Sequence, residues 1–125
     1  MRNGFEVNPR SGEGAGLWFL KIITGVLVIV ILIIHLVVNH VVVPGGLLSF
    51  ADVVNYYQNP LIPIMEIAFL IFVISHSLIG LRSVLLDLKP SNLMLKIMNW
   101  VLISLGGVAT VYGIWLVLTV ASFGR

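Results

Sequence analysis

The stretch LWFLKIITGVLVIVILIIHLVVNHVVV, residues 17–43, carries one formal charge, Lys21, and no proline. A bilayer core of about 30 Å needs roughly 20 apolar residues in helix, and this run is longer than that. Its many valines and isoleucines do not argue for a strand. A segment of this length in lipid has to satisfy its own backbone hydrogen bonds, and a helix does so without a neighbour.

Two further runs of the same kind follow, at residues 61–86 and 93–121. Across all 125 residues 59% are apolar and 10% charged, whereas a soluble domain carries about a quarter charged residues. The fold class is therefore all-α, an integral membrane protein of three transmembrane helices spanning residues 17–121. Pro44, Gly45 and Gly46 end the first helix, while Asn59, Pro60 and Pro63 open the second. Lys89-Pro90-Ser91-Asn92 makes a tight break before the third, with Ser91 or Asn92 as its N-cap. Between the first two spans, Leu47, Leu48, Phe50, Val53, Val54, Tyr56 and Tyr57 predict a short helix lying in the membrane interface. Residues 1–16 are polar and rich in Gly and Asn and read as a flexible arm; residues 122–125 form a short tail. The first apolar run is too long for a signal-peptide core and lacks a small-residue cleavage site.

Charge placement predicts orientation. Arg2, Arg10 and Lys21 precede or open the first span, and Arg82, Lys89 and Lys96 surround the second connection, whereas residues 45–60 hold no Lys or Arg. The N-terminus and the second connection are thus expected in the cytoplasm, or the matrix of an organelle, and the C-terminus outside. With seven Lys and Arg and a net charge of +2 there is no nucleic-acid surface. The absence of cysteine excludes disulfides, thiolate metal sites and iron–sulfur ligation by this chain.

Polar residues at membrane depth are costly and point to function. In the second helix His76, Gly80, Ser83 and Asp87 share one face by their spacing of four, three and four. Gly80 leaves a recess one turn from the imidazole, wide enough for a planar ring. In the first helix Lys21, Thr24, Gly25, Val28, Leu32, His35 and Asn39 form a similar stripe. At a rise of about 1.5 Å per residue, His35 lies about 21 Å from Lys21 and His76 about 20 Å from Lys89, well inside the hydrocarbon. His40 falls about 140° away from His35 and reads as an interfacial residue. A low-spin haem with imidazole ligands fits His76 and His35, with Arg82 as a cation for a propionate. The alternative is that these histidines only hydrogen-bond between helices. Gly106, Ala109 and Gly113 predict a packing seam. Glu66 reads as a solvated or hydrogen-bonded end residue, and Lys21 as a snorkelling one.

The segment His76-Ser-Leu-Ile-Gly80-Leu-Arg82-Ser-Val-Leu-Leu-Asp87 resembles the H-x-x-x-G-[IL]-R-x-x-x-x-D pattern of the small membrane-anchor subunits of succinate dehydrogenase, respiratory complex II. The Leu-Lys-Pro that follows, Tyr112-Gly113 in the third helix and Thr24-Gly25 ten residues before His35 extend the resemblance to all three helices, closest to the hydrophobic anchor called the D subunit. The resemblance implies a noncatalytic subunit of an oxidoreductase in the inner membrane of a prokaryote. His76 is then an axial ligand of haem b and Arg82 a propionate partner; one haem is expected if only His76 ligates, and two if His35 pairs with a histidine of the partner anchor. Asp87 and Ser83 border the quinone region. A second anchor subunit completes the bundle, and an iron–sulfur subunit and an FAD-bearing flavoprotein sit on the cytoplasmic side. Fumarate reductase or another dehydrogenase with a haem-b anchor, or a haem-free structural subunit, are the alternative readings. Two positions depart from the pattern: Leu88 stands where many members have tyrosine, and Ile22 where many have arginine, with Lys21 one residue away.

Overall fold

The computed structural model describes residues 14–43 and 45–124. The order is α1 (Ala15–Leu36) with a π-helical turn (Val37–Val41), α2 (Phe50–Tyr56), α3 (Leu61–Asp87) and α4 (Asn92–Ser122). Three of these, Ala15–Val41, Leu61–Asp87 and Asn92–Ser122, are long and apolar enough to cross a membrane. The chain is a multi-pass membrane protein. The expected arm 1–16 lies outside the described residues up to residue 13, and Ala15 and Gly16 already belong to α1.

The helix ends follow local chemistry. Gly45 and Gly46 adopt φ of +90° and +74° after the π turn, a conformation open to glycine at no steric cost. Ser49 caps α2, its Oγ accepting from Asp52 N–H while Asp52 Oδ2 accepts from Ser49 N–H at 2.8 Å, a reciprocal box that satisfies two end groups at once. Asn59 Oδ1 accepts from Leu61 N–H at 3.1 Å. Pro60 precedes α3, and Pro63 lies in its first turn, where a missing N–H costs nothing. Ser91 is the N-cap of α4, with Oγ 3.3 Å from Met94 N.

α3 is the central helix, packed against α1 on one side and α4 on the other, and α2 touches the end of α4 through an edge-on Phe50–Phe123 contact with centroids 6.1 Å apart. The α3–α4 seam is built by glycines. A Cβ at Gly106 would overlap Leu78, and one at Gly113 would overlap Leu70. Ala109, expected on the same seam, is exposed instead. Gly106 and Gly113 are two helical turns apart and align, whereas a residue three on from Gly106 has already rotated off that line. The interior is slight: among the described residues no large side chain is fully buried, and Thr24, Asn39, Leu102, Gly106 and Ala121 are the buried ones. Lipid is as apolar as leucine, so such exposure carries no penalty in a bilayer.

Candidate functional site

The polar stripes of α1 and α3 face each other. At the end nearer Lys89, Lys21 Nζ donates to Ser83 Oγ at 3.1 Å, and Ser83 Oγ donates back along its own helix to Ile79 O at 3.1 Å. Lys21 therefore bridges the two helices rather than only snorkelling. Asp87, on the same stripe, is exposed.

His76 occupies the middle of the seam. Its Nδ1 lies 3.1 Å from the main-chain oxygen of Lys21 and 3.3 Å from Thr24 Oγ1. The ring lies against Gly25, where an added Cβ would stand 3.0 Å from Cε1. A carbonyl oxygen can only accept, so Nδ1 carries the proton. Nε2 then keeps its lone pair and has no hydrogen-bond partner among the described residues. An imidazole that ligates a metal has this disposition, one nitrogen anchored by N–H to an acceptor and the other bare. Gly80, one turn away, has nothing within 4 Å of where a Cβ would be. α3 is thus open one turn from His76, and an imidazole anchored through Nδ1 is of the kind that could hold a haem iron through Nε2.

Arg82 turns toward α4. Its Nε donates to Asn99 Oδ1 at 2.9 Å, a partner not singled out in the sequence. The two residues share a cleft of about 370 Å³ with Leu17, Leu78, Ile79, Leu102 and Ile103.

Toward α2 a second polar cluster joins the same two helices. His35 Nδ1 lies 3.2 Å from Glu66 Oε1, and Asn39 Nδ2 lies 3.1 Å from His35 Nδ1 and 3.0 Å from Nε2. Phe69 stacks on the ring with centroids 5.4 Å apart. Both nitrogens of His35 thus have polar neighbours from this chain, unlike those of His76. Glu66 is the hydrogen-bonded residue of the two options its position allows. Asn39 sits in the π turn, and its Oδ1 is buried without a partner among the described residues, as is the hydroxyl of Tyr56. His40 points elsewhere, Nδ1 lying 3.1 Å from Gly46 O on the exposed side.

With this geometry in place, the sequence profile of the succinate dehydrogenase/fumarate reductase transmembrane subunit matches residues 8–111, most of the chain. The chain belongs to that family. No curated protein and no solved structure gives a significant match. As a succinate dehydrogenase/fumarate reductase transmembrane subunit it is a membrane component of an oxidoreductase complex, working with that complex's other subunits. The family match covers His76, Gly80, Arg82, Ser83 and Asp87 on α3 and the α1 residues that meet them.

Proposed function

We propose that this subunit is the hydrophobic anchor, of the D-subunit type, of a succinate:quinone oxidoreductase in the inner membrane of a prokaryote. It holds haem b, helps bind a quinone and attaches the flavoprotein and iron–sulfur subunits to the membrane. The observation that carries the reading is His76, with Nδ1 anchored on Lys21 O, the ring set against Gly25 and Nε2 without a hydrogen-bond partner among the described residues. Haem b bound there would supply a one-electron carrier within the bilayer. His76 would hold it through Nε2, and a second anchor subunit would supply a further ligand and complete the bundle around these three helices. Arg82, steadied by Asn99, is the cation for a propionate. Asp87 and Ser83 border the quinone region near the Lys89 end, with Lys21 holding Ser83 in place.

A second haem on His35 requires Asn39 to release Nε2, so a single haem is the reading that the contacts favour. The Glu66 and Asn39 contacts favour a helix-bridging role for His35.

The test is the redox-difference spectrum of the purified complex with succinate as reductant. A low-spin b-type signal is expected, and His76→Ala should abolish or shift it while the flavoprotein still reduces artificial acceptors. An assembled His76→Ala complex with an unchanged spectrum refutes the assignment. Fumarate reduction by the same design is distinguished by which direction the complex catalyses with its native quinone.

A further inference from the structure

His76 is held by one turn of α1. The Nδ1–H faces two oxygens, Lys21 O at 3.1 Å and Thr24 Oγ1 at 3.3 Å. Thr24 Oγ1 in turn lies 2.8 Å from Leu20 O and 3.1 Å from Lys21 O. A hydroxyl has one proton, and here it is donated back along α1, so the lone pairs are what the hydroxyl offers the imidazole. Thr24 is 4% exposed, the most enclosed polar residue described. Gly25 completes the arrangement. A Cβ there would press on His76 Cε1 from 3.0 Å, and the ring cannot retreat without lengthening both hydrogen bonds.

We propose that Thr24 and Gly25 are positioning residues for His76. Gly25 admits the ring to the surface of α1, and the Thr24 hydroxyl shares the Nδ1 proton with the Lys21 carbonyl. Together they hold the imidazole in its Nδ1–H form with Nε2 as the free donor atom. The proposal rests on the reading of His76 as an axial ligand in one respect, the electronic effect. An acceptor on Nδ1–H pushes electron density toward Nε2 and raises ligand basicity. A more basic ligand favours the ferric state, so removing an acceptor should raise the haem midpoint potential.

The experiment has two arms. In the purified complex, Thr24→Val keeps the side-chain shape but loses the acceptor, and the midpoint should move upward. Thr24→Ser should return it to the wild-type value, and Gly25→Ala should lower the haem content. In the haem-free full chain, labelled with ¹⁵N-histidine in micelles, His76 should be protonated at Nδ1, and Thr24→Val should shift its tautomer population toward Nε2–H. A His76 ring with the proton on Nε2 in the wild-type chain overturns the positioning, as does a Thr24→Val chain identical to wild type in both tautomer and midpoint. A low-spin spectrum surviving His76→Ala refutes the ligand reading instead, so the two failures are distinct.

Discussion

Nδ1 of His35 lies 3.2 Å from Oε1 of Glu66, joining α1 to α3 through side chains that are 30% and 13% exposed. Hydrogen bonds between membrane helices contribute about 0.6–2 kcal/mol. Removing His35 takes this partner from Glu66, whereas removing Glu66 leaves His35 with Asn39 alone. Glu66→Ala should therefore lower stability in detergent by about 1 kcal/mol, and the double substitution with His35→Ala should cost less than the sum of the singles. Thermal unfolding of all four chains gives the coupling; strict additivity would mean the pair does not interact.

Tyr57 lies outside the membrane helices, where burial, then the negative charge of Glu66, then Tyr56, pushes its phenol up to about 12. Its unfolded value is about 10. Because the folded value is the higher one, the stability linked to the neutral phenol is complete below about pH 10 and is lost as pH rises toward about 12. Burial and Glu66 raise Tyr56 as well, so a spectrophotometric tyrosine titration should show late ionisation whose latest component disappears in Tyr57→Phe and moves to lower pH in Glu66→Gln. An unmoved midpoint in Glu66→Gln would disconnect the two residues.

The glycines of α4 differ sharply in what surrounds them. Gly113→Ala drives a methyl into Leu70 and should destabilise by about 1–3 kcal/mol, the usual range for overpacking. Gly107 has nothing within 4 Å of a Cβ, and Gly107→Ala should cost nothing, since alanine is the better helix former. Equal losses at both positions would remove Gly113 from the seam.

Six of the seven Lys and Arg fall on one side of a three-span topology. Reporter fusions at Gly4 and Gly124 should therefore report opposite sides of the membrane, the N-terminal one cytoplasmic. The same side for both would contradict an odd number of spans.

The three spans, the short helix between the first two and the Ser91 cap were all legible in the sequence, because hydropathy runs and capping residues act locally. The polar stripe on each of the two helices was legible too, since helical spacing fixes which residues share a side. What spacing along one helix does not give is the partner across the seam. Thr24-Gly25 reads in sequence as the notch belonging to His35, on the same helix; in the structure it receives His76 of α3. The Arg82–Asn99 bond was hidden for the same reason, because it depends on how α4 is rotated against α3. The π turn at Val37–Val41 left no mark in an unbroken apolar run, although it carries Asn39.

α3 is gripped from two sides by unlike means, hydrogen bonds from α1 at His76 and Ser83, and leucines set over the glycines of α4. One residue step around a helix is about 100°, so a turn of that size about its own axis would break both grips together. Its azimuth is fixed by the chain alone. A group that met Nε2 of His76, as proposed, would therefore meet it already aimed, and the search over helix rotations that would otherwise weaken the encounter would have been completed in folding.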